Sequence, residues 1–164
     1  MRNTLGLRGS LVADLELRVP PDVVWLVAAA LMWLVSATTP DVAVAGLTRA
    51  GLAALLFPGG VGLIVAARAM LNRAHTTWHP TEPARSTSLV TSGVFRCSRN
   101  PTYLGMLLVL VGWSVVLANP LALALTPLFV LYLNIFQIGP EERALAAAFG
   151  DEYRTYAGRV RRWI

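Results

Sequence analysis

Four apolar runs dominate this chain, at residues 23–38, 50–71, 101–118 and 121–138. A helix that crosses a bilayer needs about 20 mostly apolar residues, and each run meets or approaches that length. Hydrocarbon offers the backbone no hydrogen-bond partner, so such runs fold as helices that satisfy their own amides. The punctuation agrees. Pro20-Pro21 and Pro40 bound the first run, Arg49 and Arg73 bound the second, and only Asn119-Pro120 separates the third from the fourth. The last two must form a tight antiparallel hairpin. The expected fold class is all-α and integral to a membrane, with about four transmembrane helices in a single domain over residues 1–164.

Composition excludes a soluble globule. The chain is 55% hydrophobic and 14% charged, with a mean hydropathy of +0.58, whereas soluble domains carry about 25% charged residues. A net charge of +5 in so apolar a chain points to topology and contact with anionic membrane lipids, not to nucleic acid. All fourteen basic residues are arginine, a bias that suits a high-GC bacterial source. Arg2, Arg8 and Arg18 precede the first run. Arg73, Arg85, Arg96 and Arg99 lie in the loop 72–100, and Arg143, Arg154, Arg159, Arg161 and Arg162 follow the fourth run. With four spans these three regions share one side, and the other side carries Asp41, Arg49 and the Asn119-Pro120 turn. That asymmetry is the positive-inside pattern, so both termini are expected in the cytoplasm, the membrane being a bacterial plasma membrane. Asp14, Glu16 and Asp22 before the first run argue against a secretory signal. Cys97 is the only cysteine, which rules out an internal disulfide.

Inside the second run, Pro58-Gly59-Gly60 either lets helices approach through small residues or loosens the helix into a hinge; close packing is the simpler reading. The remaining polar residues collect on the cytoplasmic face. In "RCSRNPTYLG" at 96–105, a charged turn feeds an apolar run. Taken alone, Arg96 and Arg99 mark the cytoplasmic end of a helix, Pro101 suits a helix start, Tyr103 suits the interface, and Gly93 makes a turn. Asn134, Gln137 and Glu141 follow at helical spacing on one face, where polar groups in a membrane helix usually meet a cavity or a partner. Glu141-Glu142 behind Pro140 fit both the first turn of a new helix and a functional pair. His75 and His79 have a metal-binding spacing when helical, but Pro80 opposes a helix there and no metal site is expected. The tail spaces Leu145, Phe149, Tyr153, Tyr156, Val160 and Trp163 at threes and fours, divided at Gly150-Asp151. It is either an amphipathic pair lying on the membrane or a lid over the loop before the third helix.

Together, "LVTSGVFRCSRNPTYLG" and "EERALAAAFGDEYRTYAGRVRRW" resemble the isoprenylcysteine carboxyl methyltransferases and the related phospholipid methyltransferases. The resemblance rests on Gly93 to Arg96, on Arg99 to Gly105 and on Glu141-Glu142, and it covers residues 88–163. Asn100 stands where many members carry His, and the first half resembles the family only in hydropathy. The resemblance implies a small membrane enzyme that uses S-adenosylmethionine, held by a cytoplasmic cofactor-binding loop. It implies cofactor contacts from Leu89, Val90, Arg96, Arg99, Asn100, Pro101, Tyr103, Gly105, Glu141 and Glu142, with Arg99, Asn100 and Glu142 at the reaction centre. Carboxylates suit the cofactor's ammonium and ribose diol, arginine suits its carboxylate, and Gly105 permits close approach of backbone to ligand. The implied acceptor is a small hydrophobic or lipid-like molecule arriving from the bilayer; no oligomeric state is implied. Two other readings stand beside this one: an NADPH-dependent membrane reductase of the sterol reductase type, for which the chain is short, and a non-enzymatic small membrane subunit.

Overall fold

The computed structural model describes residues 16–43, 46–76 and 87–164. Arg2, Arg8, His79 and Arg85 lie outside the described residues. Among those described, every regular element is helical, as expected. The helices are α1 Pro21–Thr38, α2 Gly46–Arg73, α3 Pro101–Leu117, α4 Pro120–Leu123, α5 Thr126–Leu133 and α6 Gly139–Arg159. A 3-10 turn at Gly93–Arg96 precedes α3, and a π-helical turn at Asn134–Ile138 joins α5 to α6. From α4 onward the chain follows one helical path, Pro120–Arg159. Among the described residues, this path, α1 and α2 are the three helices long and apolar enough to cross a membrane; α3 has 17 residues. At about 1.5 Å per residue α3 extends roughly 26 Å, just short of a hydrocarbon core of about 30 Å. The expected four spans therefore meet three helices of spanning length and one of marginal length.

The exterior is apolar and part of the interior is polar. Leu26, Leu31 and Trp33 of α1, Leu55 and Val65 of α2, and Leu128 and Leu131 of α5 are exposed, while Ser114, Asn119, Thr126 and Gln137 are buried. Soluble proteins rarely expose apolar surface so widely; a bilayer covers it. In the core, Tyr103, Met106 and Leu110 of α3 meet Met32, Ala122, Phe129, Leu133 and Ile138 in one cluster. Two indoles tie α1 to α3. Trp25 Nε1 donates to the Met106 carbonyl at 3.0 Å, and Trp113 Nε1 donates to the Ala29 carbonyl at 3.1 Å.

Helix α2 runs unbroken through Pro58, so the hinge reading of Pro58-Gly59-Gly60 gives way to close packing. A Cβ on Gly60 would lie 2.6 Å from the Gly105 carbonyl oxygen, and one on Gly105 would lie 2.5 Å from that of Gly60. The two backbones touch because neither residue has a side chain. At the predicted hairpin, Ala118 takes φ 50°. The Asn119 side chain then accepts from the Leu121 and Ala122 amides, both at 3.0 Å, and donates to Thr39 Oγ1 at 2.8 Å.

One expectation needs correction. Pro140 does not begin a new helix, because Ile138 and Gly139 are already helical and the π turn runs straight into α6. A proline inside a helix leaves the carbonyl four residues back without its amide. Here that carbonyl belongs to Phe136, and it accepts from the Leu17 amide at 3.0 Å. Next to it, Gln137 Nε2 donates to the Val19 carbonyl at 2.7 Å. The segment before α1 is thus fastened to the π turn.

Candidate active site

A cavity opens where α3 begins. One wall is the incoming loop with Thr76, Ser88, Leu89 and Val90, followed by Phe95 of the 3-10 turn. Arg99, Asn100, Pro101, Thr102, Tyr103 and Met106 form the floor, and Glu141, Glu142, Leu145, Tyr153 and Tyr156 of α6 face them. Pro21 and Asp22 of α1 and Arg68 and Leu71 of α2 complete the rim, where Arg68 and Asp22 pair at 3.3 Å. Pro101 fixes the first turn of α3, which puts Tyr103 on the inner face of that helix.

Eight of the ten residues singled out in the sequence line this cavity: Leu89, Val90, Arg99, Asn100, Pro101, Tyr103, Glu141 and Glu142. Two do not. Arg96 is exposed on the 3-10 turn. Gly105 is buried against Gly60, so its close backbone approach is to α2.

The two acids have different partners. Tyr103 donates its hydroxyl hydrogen to Glu141 Oε1. Glu142 receives two arginines: Arg99 Nη2 reaches Oε1 at 2.8 Å, while Arg162 places Nε 3.1 Å from Oε1 and Nη2 2.5 Å from Oε2. Hydrogen bonding to Glu142 holds the Arg162 guanidinium above its ordinary pKa. These partners displace the helix-capping reading, since no helix starts at Pro140 for the acids to cap. The shared face expected of Asn134, Gln137 and Glu141 is also split. Asn134 Oδ1 accepts from Trp163 Nε1 at 3.1 Å, Gln137 reaches Val19, and Glu141 reaches Tyr103. A π turn bonds i to i+5, which changes the angular spacing on which an α-helical face depends.

The tail closes over the turn. Tyr156 donates to the Phe95 carbonyl at 2.7 Å, and Arg99 Nη1 donates to the Ala157 carbonyl at 3.2 Å. The Arg99 amide donates to the Arg161 carbonyl at 3.0 Å, and Asn100 Nδ2 donates to the Arg162 carbonyl at 3.0 Å. Gly150, with φ 52° and ψ −120°, provides the predicted division in the tail. Of the two readings of the tail, the lid is the one these contacts support. Asp22, Arg68, Thr76 and Arg162 were not anticipated. Arg162 at least sits in an arginine-rich tail; Asp22 reaches the site only by packing across more than a hundred residues of chain, which no local pattern encodes.

The family model for phospholipid methyltransferase matches residues 48–152, more than half of the chain. The chain is 48% identical over 62 residues to an uncharacterized protein of Haemophilus influenzae, covering 38% of this chain and 98% of that protein. It is 44% identical over 75 residues to a probable protein-S-isoprenylcysteine O-methyltransferase of Oryza sativa, covering 44% of this chain and 38% of that one. It is 32% identical over 114 residues to the protein-S-isoprenylcysteine O-methyltransferase of Rattus norvegicus, covering 70% of this chain and 39% of that one. The chain thus spans about two fifths of the length of these curated methyltransferases. No solved structure matches it. The Arg99–Tyr103 turn and the Glu141-Glu142 pair, distant in sequence and joined in one cavity, lie within the matched region, and the chain belongs to the phospholipid methyltransferase family of enzymes.

Proposed function

We propose that this protein transfers a methyl group from S-adenosylmethionine to a small hydrophobic or lipid-like acceptor at the membrane. The observation that carries the reading is the meeting of the Arg99–Tyr103 turn, the Leu89-Val90 loop and the Glu141-Glu142 pair around one cavity. The residues present suit this donor chemically. Glu141 has one hydroxyl partner, Tyr103, which leaves its carboxylate capacity for an ammonium or a ribose diol. Arg99 Nε is buried with no hydrogen-bond partner among the described residues, a donor in position for an anionic group. Leu89, Val90, Phe95 and Met106 give an aromatic base an apolar bed.

Bound there, S-adenosylmethionine supplies a methyl group activated by a sulfonium charge. The chain's part is to orient, to hold charge and to exclude water. Glu141 and Tyr103 form one holding point, and Arg99 and Asn100, fixed from behind by the tail, form the other. Glu142 keeps Arg99 in place through its carboxylate. The acceptor arrives from the bilayer, which the exposed apolar faces of α1 and α2 contact. The arginine asymmetry supports a cavity on the cytoplasmic side of a bacterial plasma membrane, with four spans and both termini inside.

Thermal unfolding in detergent tests the cofactor. S-adenosylhomocysteine at 100 times its dissociation constant should stabilise the protein by about 2.7 kcal/mol. Stabilisation by NADPH with no response to either adenosyl ligand would replace the methyltransferase reading with a reductase.

A further inference from the structure

We infer that Arg162 is a positioning residue for this site, holding together the two motifs that form it. The inference rests on the methyltransferase reading for its ligand and on contacts within the chain for its geometry. Arg162 acts through both its side chain and its backbone. Its guanidinium takes both oxygens of Glu142, at 3.1 Å and 2.5 Å. Its carbonyl accepts from Asn100 Nδ2 at 3.0 Å and from Ser98 Oγ at 3.3 Å. One residue thus grips the acid pair on α6 and the turn that opens α3. Glu142 carries the grip onward to Arg99 at 2.8 Å.

Arg162 is itself anchored. Asn134 Oδ1, on the π turn, accepts from the neighbouring Trp163 Nε1 at 3.1 Å and lies 3.5 Å from Arg162 Nη1. Trp163 also packs against the buried core cluster. A side chain that only decorated the surface would need none of this. Planar bidentate pairing fixes direction as well as distance, and lysine, a point charge, reproduces the attraction without the fork. Arg162 lies beyond the region that matches the family model, residues 48–152, and does not line the cavity itself. It acts on the ligand through Glu142, Arg99 and Asn100.

The test combines two readouts on full-length protein in lipid nanodiscs, for wild type, Arg162→Lys, Arg162→Gln, Glu142→Gln and the Arg162→Gln/Glu142→Gln pair. Hydrogen exchange at the amides of residues 98–100 reads the turn without any ligand. Calorimetry with S-adenosylhomocysteine reads the site. Arg162→Gln should speed exchange at the turn and weaken binding roughly tenfold or more, the scale of one lost charge-assisted partnership. Arg162→Lys should recover part of both, and the double variant should bind no worse than Glu142→Gln alone, because the two residues act as one unit. Wild-type protein that fails to bind the adenosyl ligand would sink the methyltransferase reading, while exchange at the turn would still decide the role of Arg162. Unchanged exchange in Arg162→Gln, or loosened exchange with wild-type affinity, would overturn the inference. If Arg162→Gln does not fold, Arg162→Lys carries the same comparison, and wild-type exchange and affinity in that variant would overturn it too.

Discussion

Among single residues, two neighbouring acids of similar chemistry have different roles. Glu142 is occupied by Arg99 and Arg162, while among the described residues Glu141 is held by the Tyr103 hydroxyl. Adjacent positions on a helix gave no means of separating them; the partners do, and these come from α3 and from the tail. Glu141→Gln keeps size and removes the charge. It should leave the melting temperature nearly unchanged and weaken S-adenosylhomocysteine binding by about 2 kcal/mol, roughly thirtyfold, the range of a hydrogen bond to a charged group. Glu142→Gln should do both: it should weaken binding and also lower stability by about 1–2 kcal/mol, since it loosens a partly buried clasp. Melting curves and calorimetry on the two variants make the comparison. Identical profiles for the pair would contradict the division of labour. Eight of the twenty lining residues were legible from residue types and motifs. Arg96 and Gly105, expected among them, lie elsewhere, because charge and smallness are equally suited to a solvent-facing turn and a helix contact.

Among elements, helix positions were readable and helix continuity was not. Apolar length alone located α1, α2 and α3 to within a few residues. Proline and glycine were the ambiguous signals. Pro140 has the signature of a helix start, yet the helical path passes through it on a π turn whose freed carbonyl is taken by Leu17. Pro58-Gly59-Gly60 resembles a hinge, yet α2 is continuous and Gly60 lies against Gly105. In both cases a partner distant in sequence decides the outcome. The glycine seam predicts a contrast. Gly60→Val would drive carbon into the α3 backbone and should destabilise the protein by about 3 kcal/mol or more. Gly59→Ala, which meets nothing within 4 Å, should be neutral or stabilise by up to about 1 kcal/mol through helix propensity. Thermal melts of both variants in one detergent check this; a Gly60→Val protein as stable as Gly59→Ala would remove the seam from the account.

At the scale of the whole molecule, an apolar exterior around a partly polar interior explains why the site lies at one end of the helices. Charged and polar side chains collect where α3 begins and the tail folds back, and the apolar faces of α1 and α2 are left to lipid. The second half of the site was visible in its motifs; the contribution of Pro21, Asp22, Arg68 and Leu71 was not, since only packing brings α1 and α2 to the rim. The proposed orientation rests on the arginines and can be tested with the chain's own cysteine. Cys97 is exposed, beside the cavity on the proposed cytoplasmic side. A membrane-impermeant maleimide added to intact cells should leave Cys97 unlabelled and should label Asp41→Cys in a Cys97→Ser background; the reverse pattern would invert the topology. The central claim is methyl transfer itself, and it is tested most directly by incubating the purified protein with methyl-labelled S-adenosylmethionine and a host lipid extract. The account predicts label in an organic-soluble product with wild-type protein and a large loss with Glu141→Gln. Well-folded wild-type protein that binds the donor's demethylated form and yet labels nothing in the extract beyond the level of Glu141→Gln would contradict it.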